Sequence, residues 1–275
     1  MPSKIAVLQM CSTEDVGYNW SVFERLATVA VSEGATVLCT PENTFYLGSQ
    51  FHKIALAERL DGPLMARCAG FAKEHQVYLF LGSMAELDVL DNGDFNRQRC
   101  YNTSVVFAAN GERIASYRKI HLFDVDIPNG MRIAESDRVI AGDTPVVVDT
   151  DFGSVGLSIC YDLRFPELYR QLQEQGATMM MVPSAFTKLT GEAHWHTLLK
   201  ARAIETQSWV IAPAQTGVHD QAKQRQSFGH SLIIDPWGRV IADAGTEPTV
   251  IYATIDSEMV KQVREAIPVQ SHRVL

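Results

Sequence analysis

A chain of 275 residues with 46% hydrophobic and 20% charged residues can bury a sizeable core, and a formal net charge of -8 with scattered Lys and Arg argues against nucleic acid as a partner. No stretch approaches the roughly 18 uninterrupted apolar residues of a membrane span, and no signal-peptide pattern precedes the first apolar run, so a cytoplasmic location is expected. Cys11, Cys39, Cys68, Cys100 and Cys160 are odd in number and form no C-x-x-C pair, which fits neither a disulfide framework nor a zinc ribbon and leaves reduced thiols.

In chain order, KIAVLQ (4–9) reads as a strand, 18–33 as a helix, TVLCT (36–40) as a strand, Pro63 to His75 as a helix and VYLFLGS (77–83) as a strand. YNTSVVFAA and ERIASYRK then read as two strands joined at Asn110-Gly111, a pair suited to the positive φ angles of a type I′ hairpin turn. The second half begins with paired strands in TPVVVDTDFGSVGLSI, followed by a helix over 165–175 that Gly176 ends. The strand TMMMVPS, a helix over about 192–207 and the strand SWVIAPAQ come next. SLIIDPWGRVIADA turns at Asp235 to Gly238, and a strand over 249–255 and a helix over 256–266 close the chain. Without a linker, charge run or repeat, residues 1–275 read as one α/β domain. Two sheets covered by helices, or one large mixed sheet, both satisfy this order.

Chemistry is best sought in GLSICYDLRFPELYR, where an apolar strand ends at Cys160 and Pro166 opens a helix shortly after. A thiol at such a turn lies near helix N-terminal N–H groups, which favour the thiolate and should lower its pKa. A lone cysteine after an apolar strand is also an ordinary core residue, so partners are needed. His121, His194, His196, His219 and His230 were weighed as bases and none stands out. His194 and His196 fall in a predicted helix, where positions two apart point about 200° from each other, so joint chelation of a metal is not expected. Glu42 in TPENTF and Lys119 in YRKIHLFD each follow a strand, as Cys160 does. Three strand ends can converge at one edge of a sheet, although each residue alone also reads as an ordinary surface or helix-start charge.

PENTF, YRKIHLFD and GLSICYDLRFPE resemble the three signature blocks of the nitrilase superfamily, in that family's order. The similarity continues through PSAFTKLTGEAHWHTLLKARAIETQ, APAQTG and SFGHSLIIDPWGRVIA and so covers essentially the whole chain. The resemblance implies an αββα sandwich of two mixed sheets between helical layers, a homodimer, and a Glu-Lys-Cys triad. In it Cys160 is the nucleophile, Glu42 the general base and later acid, and Lys119 the cation facing the oxyanion. Glu135 matches a further acidic position, and the N–H of Tyr161 is expected to assist Lys119. A carboxylate in Glu42's role is expected to have its pKa raised by burial. Neither a metal nor an organic cofactor is expected.

Within the superfamily the blocks are most similar to the Nit branch, whose enzymes cleave 2-oxo-acid amides such as deaminated glutathione. The alternatives are ω-amidase chemistry on 2-oxoglutaramate or 2-oxosuccinamate, N-carbamoyl or nitrile hydrolysis, and a non-enzymatic member. By the same resemblance Arg164, Phe186 and Thr190 are expected to contact the substrate's 2-oxo carboxylate. Arg164 otherwise pairs with Glu167 or Asp162. Phe186 and Trp195 are expected to wall the pocket or to pack in the core, and Tyr46 to act as a lid or a surface residue.

Overall fold

A computed structural model of the protein describes residues 3–126, 132–220 and 225–274. The first half forms β1 (Ser3–Gln9), α1 (Val16–Ser32), β2 (Val37–Cys39), α2 (Gln50–Ala55), α3 (Pro63–His75), β3 (Tyr78–Val89), β4 (Phe95–Phe107) and β5 (Arg113–Arg118). A connecting stretch follows with β6 (Asp124–Asp126), β7 (Arg132–Ala134), a 3-10 turn at Glu135–Asp137 and β8 (Val139–Ile140). The second half runs β9 (Val147–Thr150), β10 (Gly153–Leu157), a 3-10 helix at Cys160–Arg164, α4 (Pro166–Glu174), β11 (Met179–Met181), α5 (Lys188–Thr206) and β12 (Trp209–Ala212). It closes with β13 (Thr216–Asp220), β14 (Arg225–Phe228), β15 (Leu232–Ile234), β16 (Val240–Asp243), β17 (Thr249–Ile255), α6 (Ser257–Ala266) and α7 (Val269–His272).

Two mixed sheets organise these elements. One has the order β17-β1-β2-β3-β4-β5 with β8 added on β4, and the other the order β16-β15-β12-β11-β10-β9. Strand side chains alternate between faces, and both faces are apolar here because both are covered. Along β1, Ile5 and Val7 join the core between the sheets, where they meet Val155 and Leu157 of β10. Ala6 and Leu8 point the other way and pack under Trp20, Phe23 and Ala27 of α1 and Cys68 and Phe71 of α3. On the second sheet α4 and α5 supply the outer layer through Leu168, Leu172, Leu199 and Ala203. The result is the αββα sandwich, the two-sheet alternative of the sequence reading.

Three local expectations are corrected. Asn110 does not take positive φ; only Gly111 does, at 85°. Gly111 N–H donates to the Ala108 carbonyl at 2.9 Å and Ala108 N–H to the Glu112 carbonyl at 2.8 Å. The hairpin therefore closes through a three-residue loop with a left-handed glycine rather than a type I′ turn. Helix α5 begins at Lys188, a turn before the expected 192, with the Thr187 and Thr190 hydroxyls in contact across its first turn. The short helix α2 was not anticipated; Ser49 caps it by accepting from His52 N–H.

No helix among the described residues is long and apolar enough to cross a membrane.

Candidate active site

The site forms where strands of both sheets end. Strands β1, β2 and β3 run parallel, as do β10, β11 and β12, so their carboxyl ends lie on common edges. The bridge Met10–Gln215 joins these two edges beyond the strands, and Ser184–Ala214 prolongs the pairing of β11 with β12. Glu42 follows β2, Lys119 follows β5 and Cys160 follows β10, and the three side chains meet there, all buried.

Two junctions require backbone conformations that L-residues rarely adopt. Cys160 has φ 51° and Asn43, directly after Glu42, has φ 57°. Cys160 is held in place by its N–H donating to the Pro183 carbonyl at 2.9 Å. Asp162, wholly buried, accepts from Ile159 N–H at 2.8 Å, from His121 N–H at 3.0 Å and from the Tyr117 hydroxyl at 2.8 Å. That one carboxylate ties the turn at Cys160 to the segment just after Lys119. The turn at Glu42 depends on Gly82, where a Cβ would stand 2.1 Å from the Thr40 carbonyl oxygen and 2.3 Å from that of Pro41. Gln215 completes it, since its side-chain amide donates to the Glu42 carbonyl at 3.0 Å.

Around Glu42 every neighbour is a donor. Lys119 Nζ lies 3.2 Å and Asn102 Nδ2 2.9 Å from Oε1, while Ala185 N–H donates to Oε2 at 2.8 Å. The Cys160 thiol lies near enough to this carboxylate for its charge to act on it. Lys119 makes its shorter contacts with Glu135, at 2.8 and 3.1 Å, and Glu135 in turn accepts from Phe123 N–H at 2.7 Å.

The electrostatics correct two expectations. Burial pushes the Glu42 carboxyl up, but Lys119 and the buried Lys53 outweigh it and hold the group below its ordinary value. Burial and then the Glu42 charge push the Cys160 thiol well above its ordinary value, with Lys119 opposing, so the helix terminus does not produce a resting thiolate. Burial lowers the Lys119 ammonium, yet Glu135 and Glu42 together hold it well above the ordinary lysine value. The resting site is therefore carboxylate, ammonium and neutral thiol, an arrangement chemically able to pass a proton from sulfur to carboxylate beside a cation.

Around this centre, Arg164 places its guanidinium carbon 5.3 Å from the Phe186 ring centre and 5.8 Å from that of Tyr161. Its Nη1 lies 3.3 Å from His194 Nδ1. Among the described residues it forms no ion pair with Glu167 or Asp162, because Asp162 is committed to the turn. Phe186 packs against Trp195 with the rings tilted at 49° and centroids 5.0 Å apart, and Trp195 exposes no surface of its own, so it backs Phe186 rather than forming a wall. The Thr190 and Thr187 hydroxyls are 2.7 Å apart. Tyr46 donates to the Ser49 carbonyl at 3.2 Å and lines a cavity of about 70 Å³ with Asn43 and Lys53.

Among the described residues no histidine hydrogen-bonds to Cys160. His219 is pushed down to about 4 by burial and is neutral, packed between the Ser12 carbonyl and the Ser227 hydroxyl. Asn102, Asp162 and Lys53 were missed by the sequence reading. Asn102 offered one signal, a lone amide inside the apolar strand YNTSVVF.

With this geometry in hand, comparison with known proteins identifies the class. Residues 4–265 match the carbon-nitrogen hydrolase family, and the chain belongs to it; it is a hydrolase of carbon–nitrogen bonds other than peptide bonds. More particularly, the chain is 42% identical over 275 residues to the deaminated glutathione amidase of Synechocystis sp. (strain PCC 6803 / GT-S), covering 99% of this chain and 98% of that protein. The NitFhit protein of C. elegans superposes with a TM-score of 0.89 at 38% identity, covering 99% of this chain and 65% of the other. Nit3 of Saccharomyces cerevisiae, a member of branch 10 of the nitrilase superfamily, superposes with a TM-score of 0.85 at 30% identity, covering 98% and 95%.

Proposed function

We propose that the chain is an amidase that hydrolyses deaminated glutathione to 2-oxoglutarate and Cys-Gly, with Cys160, Glu42 and Lys119 as its catalytic residues. The observation that carries the mechanism is the burial of Cys160, Glu42 and Lys119 at one point, with Lys119 Nζ 3.2 Å from Glu42 Oε1. Glu42 takes the thiol proton as sulfur attacks the amide carbonyl, and the negative charge on the tetrahedral oxygen faces Lys119 and the N–H of Tyr161. Collapse expels the amine, which leaves with the proton from Glu42. Glu42 then deprotonates a water that attacks the thioester, and the second tetrahedral intermediate collapses to release the acid and return the proton to sulfur. Asn102 and Ala185 N–H fix the direction of the Glu42 carboxylate, and Glu135 holds Lys119 in register.

Substrate choice rests on the relatives named for this activity and on Arg164. Its guanidinium lies against two aromatic faces without a carboxylate partner among the described residues, and a 2-oxo carboxylate can take both arms of its fork. Phe186 and Thr190 border that position. Release of 2-oxoglutarate from deaminated glutathione, measured beside 2-oxoglutaramate, tests the reading. A kcat/KM that favours deaminated glutathione by at least about 10-fold upholds it, and equal or reversed values assign the chain to ω-amidase chemistry.

We read the 275 residues as one domain on the strength of the core shared between the sheets. A homodimer in the cytoplasm completes the proposal. The exposed Ile204, Trp237 and Ile241 are apolar surface available for such pairing.

A further inference from the structure

Outside the triad, three side chains from distant parts of the chain converge on one point. His196 lies on α5, His230 in the turn between β14 and β15, and Asp243 at the end of β16. His196 Nε2 is 3.1 Å from Asp243 Oδ2, and His230 Nδ1 is 2.9 Å from Oδ1 and 3.1 Å from Oδ2. The donor atoms of all three residues lie within 4.8 Å of one another.

We propose that His196, His230 and Asp243 form a binding site for a divalent transition-metal ion of the zinc type, separate from the catalytic centre. Two imidazoles and one carboxylate suit such an ion and not magnesium or calcium, which take oxygen ligands. Tetrahedral zinc at about 2.0–2.1 Å from each ligand atom separates those atoms by roughly 3.4 Å, so each histidine–aspartate separation has to open by only about 0.3–0.5 Å. The ion takes the place of the ring N–H groups that face the carboxylate, each neutral ring then carrying its proton on its other nitrogen, and water takes the fourth position.

The ligands are also held from behind. Asp243 Oδ1 accepts from Gly245 N–H at 2.8 Å, and His230 N–H donates to the Gly245 carbonyl at 2.7 Å. The His230 carbonyl accepts from the Trp195 indole at 2.7 Å, and the His230 ring stacks on Phe228 with centroids 4.6 Å apart. Supports of this kind orient metal ligands before the ion arrives. The side chains are 25% to 39% exposed, which leaves an entry path from solvent. The sequence analysis set aside chelation by His194 with His196, two residues apart on one helix. The partners of His196 come instead from 34 and 47 positions away.

A bound ion pins the middle of α5 to the edge of the second sheet. The test is calorimetric titration of tag-free, chelator-treated protein with zinc chloride at pH 7.5, in wild type, Cys160→Ala, His196→Ala and Asp243→Asn. Expected is one saturable site per chain, retained in Cys160→Ala and weakened at least about 10-fold by His196→Ala and by Asp243→Asn. Asp243→Asn, nearly isosteric, stands in should His196→Ala fail to fold. No saturable binding at a tenfold excess of zinc would reduce the cluster to a hydrogen-bonded group and overturn the proposal. Binding lost in Cys160→Ala but kept in the other variants would place the ion on the thiol and overturn it equally.

Discussion

Nζ of Lys119 lies 3.2 Å from Oε1 of Glu42, and neither side chain exposes more than 5% of its surface. Glu135 on the other side of Lys119 makes this a buried acid–base–acid row. Removing the central cation leaves two carboxylates buried together. Lys119→Met is therefore expected to destabilise the fold by about 3–5 kcal/mol, as well as to lower kcat by at least about 10²-fold. Denaturant unfolding and steady-state kinetics separate the two effects. Unchanged kcat with raised KM would make Lys119 a substrate anchor.

Glu42→Gln keeps the shape of the carboxylate and removes its capacity to take a proton. A fall in kcat of at least about 10²-fold is expected. The same change removes a charge that pushes the Cys160 thiol up, so the variant thiol should ionise at lower pH than the wild-type one. The pH dependence of iodoacetamide labelling reports this directly. A wild-type labelling profile in the variant would mean that Glu42 does not act on the thiol.

Arg164→Lys retains a positive charge but loses the planar fork. Weaker binding of both deaminated glutathione and 2-oxoglutaramate is expected, seen as a rise in KM of about 10-fold for each. If only deaminated glutathione is affected, Arg164 serves the Cys-Gly end and the proposed orientation of substrate is reversed.

The charged row also fixes a pH window for stability. Glu42 is depressed in the fold, so its contribution is present above the ordinary carboxylate value near 4.3 and is lost as pH falls through its lower folded value. Lys119 is raised, so its contribution is complete below the ordinary lysine value near 10.4 and is lost as pH rises through its higher folded value. Two other buried groups bound the window: His219, pushed down to about 4, costs the fold stability as pH falls below the ordinary histidine value near 6.5, and Cys160, pushed up, does so as pH rises above the ordinary cysteine value near 8.5, so melting temperature should form a plateau over about pH 7 to 8 in wild type. Lys119→Met should narrow that plateau from the acid side, because Glu42 without this cation favours the protonated fold. A wild-type melting temperature that varies steadily across this range would contradict the assigned directions.

Much of this was legible in the chain. The alternation of strands and helices follows from side-chain periodicity, whereas Cys160, Glu42 and Lys119 were only strand-end candidates until the resemblance of PENTF, YRKIHLFD and GLSICYDLRFPE to the family's blocks singled them out. What sequence could not supply was the sign of the electrostatics. The helix terminus near Cys160 suggested a low thiol pKa, but desolvation and the facing Glu42 depend on residues 118 positions apart being packed together. Asn102, Asp162 and Lys53 escaped for a related reason: their partners are set by which strand ends share an edge, and the local pattern says nothing of that. The Asn110-Gly111 turn failed differently. The dipeptide permits type I′ geometry, but the strand register around Val106 and Phe107 carries an extra residue that a longer loop absorbs.

With the thiol protonated, Glu42, Lys119 and Glu135 together carry one negative charge. In the proposed cycle Glu42 becomes neutral as negative charge appears on the substrate oxygen, so the total is the same before attack and at each tetrahedral intermediate. The chemistry relocates charge within a dry site without creating any, and little surrounding water has to reorient. Ionic strength should therefore leave kcat nearly untouched. Salt should act instead on the arrival of a dianionic substrate at a protein of net charge -8, where screening eases the approach.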